Sequence, residues 1–264
     1  MQHGCCSTFS RSLTLSAALF AMLSAPALAG PPFVTDDPEP TPYRFFEVYL
    51  ATDYTRTTES MDGTLPHFEI NYGLMPNLQI TVSLPLADSQ ELHAPMNFGY
   101  GDTEFSAKLC LLRESKTLPQ ISFAPAIDVP TGKAATGLGG GYERVLFPLW
   151  AEKGFGPYTI YGGGGVWRNP GFGNKNYTIG GIAVEREMRH GITLGTEIFG
   201  QSADTVGGSG SLGFSVGTIK ELDAQHKISF SLGHSLSGAS SVSGFAAYEL
   251  FVGPHQAAVE GDDP

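Results

Sequence analysis

Charge is scarce in this chain of 264 residues. Charged side chains make up 16% of it, against roughly a quarter in an average soluble protein. Basic ones are scarcer still: 15 Lys and Arg stand against 26 Asp and Glu, a formal net charge of −11. That balance excludes a nucleic-acid partner, which needs a basic face. Cysteine is nearly absent. Cys5 and Cys6 stand at the start and only Cys110 lies further on, so an exported domain stapled by internal disulfides is excluded. Beyond the N-terminus no run reaches the ~20 apolar residues that a membrane-spanning helix needs, and no segment carries a 3.6-residue apolar period. Motifs that bring chemistry are missing too. Gly132-Lys133 lacks the earlier glycine of a phosphate loop, and the G-x-G-x-x-G at Gly208–Gly213 leads into a strand pattern rather than a helix. His226, Ser229, Ser231, His234 and Ser235 crowd one segment. Adjacent strand residues face opposite ways, however, and there is no G-x-S-x-G elbow. No His/Cys/Asp cluster has metal-ligand spacing. The expectation is no catalytic residue, no metal and no cofactor.

What is present begins with an export signal. Arg11 precedes an apolar core, Leu13–Leu23, and Ala27-Leu28-Ala29 forms an A-x-A cleavage site before Gly30. Residues 1–29 read as a cleaved signal peptide, which takes Cys5 and Cys6 with it. No cysteine follows the cleavage box, so a lipoprotein is not expected.

The mature chain alternates with period two. Leu78, Ile80, Val82, Leu84 and Leu86 alternate with Gln79, Thr81 and Ser83; Phe105, Ala107, Leu109 and Leu111 alternate with Glu104, Ser106, Lys108 and Cys110. The same pattern recurs over Ile121–Val129, Ile192–Ile198, Leu212–Val216 and Ile228–Leu232, and more weakly from Phe46, Phe68, Val145, Tyr158, Tyr177 and Phe245. Pro125 predicts a bulge, because it has no N–H for the ladder. Connections alternate in length. Those at Gly73–Asn77, Arg113–Thr117, Lys153–Gly156, Glu187–Gly191 and Lys220–Gln225 read as short; those at Thr55–Thr64, Ala87–Gly99, Pro130–Gly141, Arg168–Lys175, Asp204–Gly208 and Ser237–Ser243 read as long. Clean apolar faces, small polar opposite faces and two-sided loop asymmetry predict an all-β fold: a single antiparallel transmembrane β-barrel of about twelve strands. Barrel residues 43–252 would follow a Pro-rich periplasmic leader, 30–42, and precede an acidic tail, 253–264, with Glu260, Asp262 and Asp263. Tyr54, Tyr72, Tyr158, Trp167, Tyr248 and Phe251 are candidates for interfacial girdles. The partners expected are outer-membrane lipid, the barrel-assembly machinery and a small-molecule solute.

Several segments carry a resemblance. Pro31-Pro32-Phe33-Val34-Thr35-Asp36-Asp37, then Phe46-Glu47-Val48, Gly73–Gln79, Leu84-Pro85-Leu86, Gly101-Asp102-Thr103-Glu104 with Lys108, and Val129-Pro130-Thr131-Gly132 stand in this order. Together they resemble the bacterial outer-membrane β-barrel family named for a MetA-pathway of phenol degradation, over most of residues 30–165. The resemblance implies a barrel with a transport-like role in the outer membrane and names no substrate. Pro38, Pro40 and Pro42 depart from it and stiffen the leader.

Asp102, Glu104 and Lys108 share one strand face and are predicted to point into the lumen, as are His67, Glu69 and Asn71, and Glu47, Asp128, Glu197 and Lys227. They would line a solute path or form an ion-pair network that fills the barrel. A lumen so acidic favours cations or neutral solutes over anions. Thr35, Asp36 and Asp37, with Glu39, would bind a divalent cation or a periplasmic partner, enter the barrel, or stay solvated. The function expected is passive uptake of small solutes, aromatic or hydrophobic ones if the family name is informative. The alternatives are a barrel enzyme acting on lipid and a structural barrel with a plugged lumen, with a soluble secreted β-protein behind them.

Overall fold

The structure is a computed structural model and describes residues 32–254. The expected signal peptide and all but the first two residues of the expected tail lie outside these residues. Fourteen strand segments run along the chain: β1 (Phe46–Thr57), β2 (Ser60–Met75), β3 (Leu78–Glu91), β4 (Asn97–Tyr100), β5 (Thr103–Leu112), β6 (Gln120–Phe123), β7 (Ala126–Val129), β8 (Arg144–Phe155), β9 (Tyr158–Arg168), β10 (Tyr177–Glu187), β11 (Ile192–Gln201), β12 (Ser211–Glu221), β13 (His226–Ser237) and β14 (Ser241–Val252). Every pairing between them is antiparallel, and β1 joins β14 from Phe46↔Val252 to Thr57↔Ser241, which closes the sheet. β4 and β5 both pair with β3 and make one stave; β6 and β7 both lie between β5 and β8 and make another. The result is a closed barrel of twelve staves. Closure leaves no sheet edge, which is what a strand structure needs in lipid.

The break between β6 and β7 falls at Ala124-Pro125, where the proline withholds its N–H. Its carbonyl still accepts from Ala107 at 3.1 Å. The short connections lie at one end of the barrel, beside both described termini. The long ones differ from expectation at three places. Thr55–Thr64 and Ser237–Ser243 are strand for most of their length, turning tightly at residues 58–59 and 238–240. The third is Ala87–Gly99, where β3 runs on to Glu91 and β4 starts at Asn97, leaving only residues 92–96 between them. The long loops after β7, β9 and β11 are as expected, and the one after β7 contains a single 3-10 turn, Ala134–Thr136.

Polarity is inside out relative to a soluble domain. Leu50, Phe105, Leu149, Ile182, Val216 and Leu232 are exposed on the outer face, Leu232 by 68%. Gln79, Ser122, Glu152, Glu185, Glu197 and Lys227 are buried on the inner face. That is the pattern of a barrel whose solvent outside is hydrocarbon. Among the candidate girdle aromatics, Tyr158 and Tyr248 are half-exposed and Phe46 stacks on Tyr72 at 4.5 Å. Trp167 instead lines the lumen under Arg144, and Phe251 stacks on Phe45 at 4.8 Å.

Candidate functional site

The leader is folded into the barrel. It turns in at the short-turn end, where Arg44 N–H donates to Gly73 O at 2.7 Å and Gly73 N–H to Phe45 O at 3.0 Å. A side chain at Gly73 would collide with the Pro42 carbonyl, so this crossing requires glycine. Thr41 then donates its N–H to Gln79 at 2.8 Å and its hydroxyl to Glu47 at 3.0 Å. The Pro38 carbonyl accepts from Gln120 at 3.1 Å and from the Ser122 hydroxyl. Lys108 Nζ lies 3.0 Å from Asp36 and 3.7 Å from Asp37. Val34 and Thr35 donate their N–H groups to the two oxygens of Glu197, at 2.9 and 2.8 Å, and Ser215 adds a third donor at 2.8 Å. Ser231 closes the path by donating to Pro32 O at 2.7 Å. Phe33 lies against Gly195 and Gly217, where an added Cβ would meet its ring at 2.6 and 3.1 Å.

Lys108 is on the fourth stave and Glu197 on the ninth of twelve, so these anchors stand on nearly opposite walls. The leader therefore bridges the lumen. Its composition suits that place. Pro38, Pro40 and Pro42 have no N–H to satisfy and are stiff, and the Val34, Thr35 and Thr41 N–H groups each meet an acceptor on the wall. A solvated leader is not what the structure holds.

Cavities remain around the bridge. One of about 280 Å³ is lined by leader residues and by Glu47, Tyr49, Glu69, Glu104, Lys108 and Trp150. A wider one of about 590 Å³ opens toward the long loops and holds Asp53, Asp62, His67, Asp102, Glu104 and Asp128. Glu104 belongs to both. Arg144 pairs with Asp128 at 2.5 Å and lies 5.1 Å over Trp167. Asp102 accepts the N–H groups of Gly132 (2.9 Å) and Gly140 (2.7 Å), so its charge holds the loop after β7. Asn71 links Glu69 (3.0 Å) to Thr81 (2.6 Å). Lys227 pairs with Glu249 at 3.4 Å.

His67 Nε2 contacts the Ser83 hydroxyl, and His67 Nδ1 lies 3.9 Å from Asp53. This has the order of a hydrolytic triad, but 3.9 Å is no hydrogen bond, and that Asp53 oxygen accepts from Thr64 instead. Among the described residues no group of three His, Cys, Asp or Glu side chains is placed to hold a metal ion.

Sequence reasoning missed Asp53, Arg144, Trp150, Glu152, Tyr161, Glu185 and Glu249 on the inner wall. Tyr161 donates to Glu185 at 2.9 Å. The signal for Trp150 and Glu152 was their shared parity on β8. It was masked because Leu146 and Pro148 on the same face are apolar as well.

No family model matches the chain, and no curated protein matches it. Solved structures do. The COG4313 outer membrane channel from Pseudomonas putida F1 superposes with a TM-score of 0.73 at 15% identity, covering 85% of this chain and 100% of that one. The NanC porin gives 0.56 at 5% identity, over 77% of this chain and 98% of that one. The KdgM porin gives 0.54 at 7% identity with the same coverages, and has been solved with oligogalacturonate. The chain has the fold of outer-membrane channels and porins.

Proposed function

We propose that this protein is an outer-membrane channel for the passive uptake of small solutes, constricted at mid-height by its own leader. The observation that carries this reading is the polar chemistry of the inner wall. Polar and charged side chains run from the short-turn mouth (Glu249, Lys227) to the loop-end vestibule (Asp53, Asp128), with the leader lying across them and the loop after β7 folded over the vestibule. Glu47, His67, Glu69, Asn71, Asp102, Glu104, Lys108, Asp128, Glu197 and Lys227 are the proposed lining of the path. The long loops face the exterior and the leader enters from the periplasm, after a signal peptide over residues 1–29 is removed and the assembly machinery inserts the strands. The resemblance to the MetA-pathway family supports small aromatic compounds as cargo. An acidic oligosaccharide such as the oligogalacturonate of the KdgM structure does not suit a lumen where carboxylates outnumber cations. The leader's many anchors favour a second reading, a structural barrel that stays plugged.

Single-channel recording of the refolded mature protein in a planar bilayer tests this. Discrete steps with a cation-favouring reversal potential in a salt gradient are expected. A folded, heat-modifiable barrel that never conducts, with or without its leader, would favour the structural reading.

A further inference from the structure

The loop after β7 is fixed at its base, where the Thr131 hydroxyl donates to Gly101 O at 2.8 Å and accepts the Thr103 N–H at 2.9 Å. Past that base it is held at one point. Among the described residues, every hydrogen bond from residues 132–143 to the rest of the barrel ends on the Asp102 carboxylate, one oxygen taking the Gly132 N–H and the other the Gly140 N–H. The bonds between these two are internal. Thr136 and Leu138 donate their N–H groups to Lys133 O at 3.0 and 3.3 Å, and Gly137 donates to Ala134 O at 3.1 Å. The neck is tight: a Cβ on Gly132 would stand 2.2 Å from the Leu138 carbonyl oxygen, and one on Gly139 would stand 2.3 Å from Asp102. Residues 132–140 therefore form a ring that a single carboxylate closes, a compact loop of the Ω kind. Leu138 is its buried residue, 7% exposed and seated against Gly99 of β4, where a side chain would meet it at 3.2 Å. Leu138 and its glycine neighbours line the wider cavity together with Asp53 and Thr55 of β1. Bonds to a carboxylate are stronger than neutral ones, but one attachment can break without disturbing any strand.

We propose that this loop is a strap across the loop-end mouth of the lumen and that Asp102 is its latch. With the latch made, Leu138 stays in its seat and the strap keeps bulky solutes out of the vestibule. With the latch broken, the ring swings on its Thr131 base and the mouth widens. The inference rests on the channel reading and adds a second constriction to it, in series with the leader, that sorts solutes by bulk before they reach the leader.

Access to a thiol inside the vestibule tests this. The full mature chain, leader included, carries Asp53→Cys as the target and Cys110→Ser to remove the buried native thiol, and is refolded into detergent micelles. It is treated with N-ethylmaleimide and, separately, with a maleimide on a polyethylene glycol chain. With the latch intact the small reagent is expected to react readily and the bulky one slowly. Adding Asp102→Ala is expected to speed the bulky reagent at least tenfold and to leave the small one nearly unchanged. Leu138→Ser touches no strand, moves the ratio in the same direction, and decides the matter where Asp102→Ala gives no heat-modifiable band. Two results overturn the proposal: equal rates for the two reagents while the latch is intact, or a ratio that neither variant moves. The labelling reads access rather than current, so conductance of the same preparation separates the two readings. A conducting barrel whose ratio never moves sinks the strap and keeps the channel; a ratio that moves in a barrel without conductance sinks the channel and keeps the strap.

Discussion

Glu197 is the residue on which the leader's position most depends. It accepts two backbone N–H groups and a hydroxyl while 1% exposed. Hydrogen bonds to a charged group are worth roughly 1.5–3 kcal/mol each, and Glu197→Ala leaves the Val34 and Thr35 N–H groups without their acceptor, the latter buried. Leader displacement is expected to become about tenfold more frequent, equivalent to ~1.4 kcal/mol, read as a higher open fraction in bilayer recordings; an unchanged open fraction would mean the leader is held elsewhere. Glu39 gives the leader a pH dependence. Burial raises its carboxyl above the ordinary value, with Lys108, Arg113 and Lys227 pulling it down and Glu114 pushing it up. Burial raises Asp37 too, against the pull of Lys108. A raised acid binds its proton more tightly when docked than when free. Its contribution to docking is therefore complete below the free value and is lost as pH rises through the docked one. Openings are expected to become more frequent as pH rises above the ordinary carboxylate range, and Glu39→Gln to flatten that slope.

At the scale of elements, the leader and the wall are separable. Deleting residues 32–42 removes the bridge but no strand, so the barrel is expected to stay heat-modifiable on a gel while its conductance step grows severalfold. Loss of the folded band would show that the leader is part of the barrel's stability. The staves themselves were legible in the sequence because lipid makes one face of each strand strictly apolar. Leu78–Leu86 and Thr103–Leu111 show this best. The alternation fades where that cause is missing. At Thr55–Thr64 and Ser237–Ser243 the strands continue past the apolar belt, both faces meet water, and the polar sequence looks like loop. On β8 both faces are partly apolar, and the acid at Glu152 went unnoticed. The leader's path was not legible at all, since nothing within Phe33–Thr41 encodes which of twelve walls it will meet. Its partners lie up to 199 residues away in the chain.

For the whole molecule, closure and charge govern behaviour. The β1–β14 pairing joins twelve residues on each side. Truncation before β14 would expose two strand edges to hydrocarbon, and no heat-modifiable species is expected from it. The wall's acidity acts as one field. In a potassium chloride gradient the reversal potential is expected on the cation side. The double change Glu47→Gln and Glu104→Gln should move it toward zero, because both acids line the narrow cavity. An anion-selective wild-type channel would contradict the reading of the lumen.

The seating of the leader also sets an order of events. Its anchors are Gln79 on β3, Lys108 on β5, Ser122 on β6, Glu197 on β11 and Ser231 on β13. The first segment of the described chain is therefore held by strands synthesised near its end, and contacts of such long sequence separation form late. It cannot settle until the penultimate stave has joined the wall. A leader seated on all five walls therefore reports that the ring around it is complete.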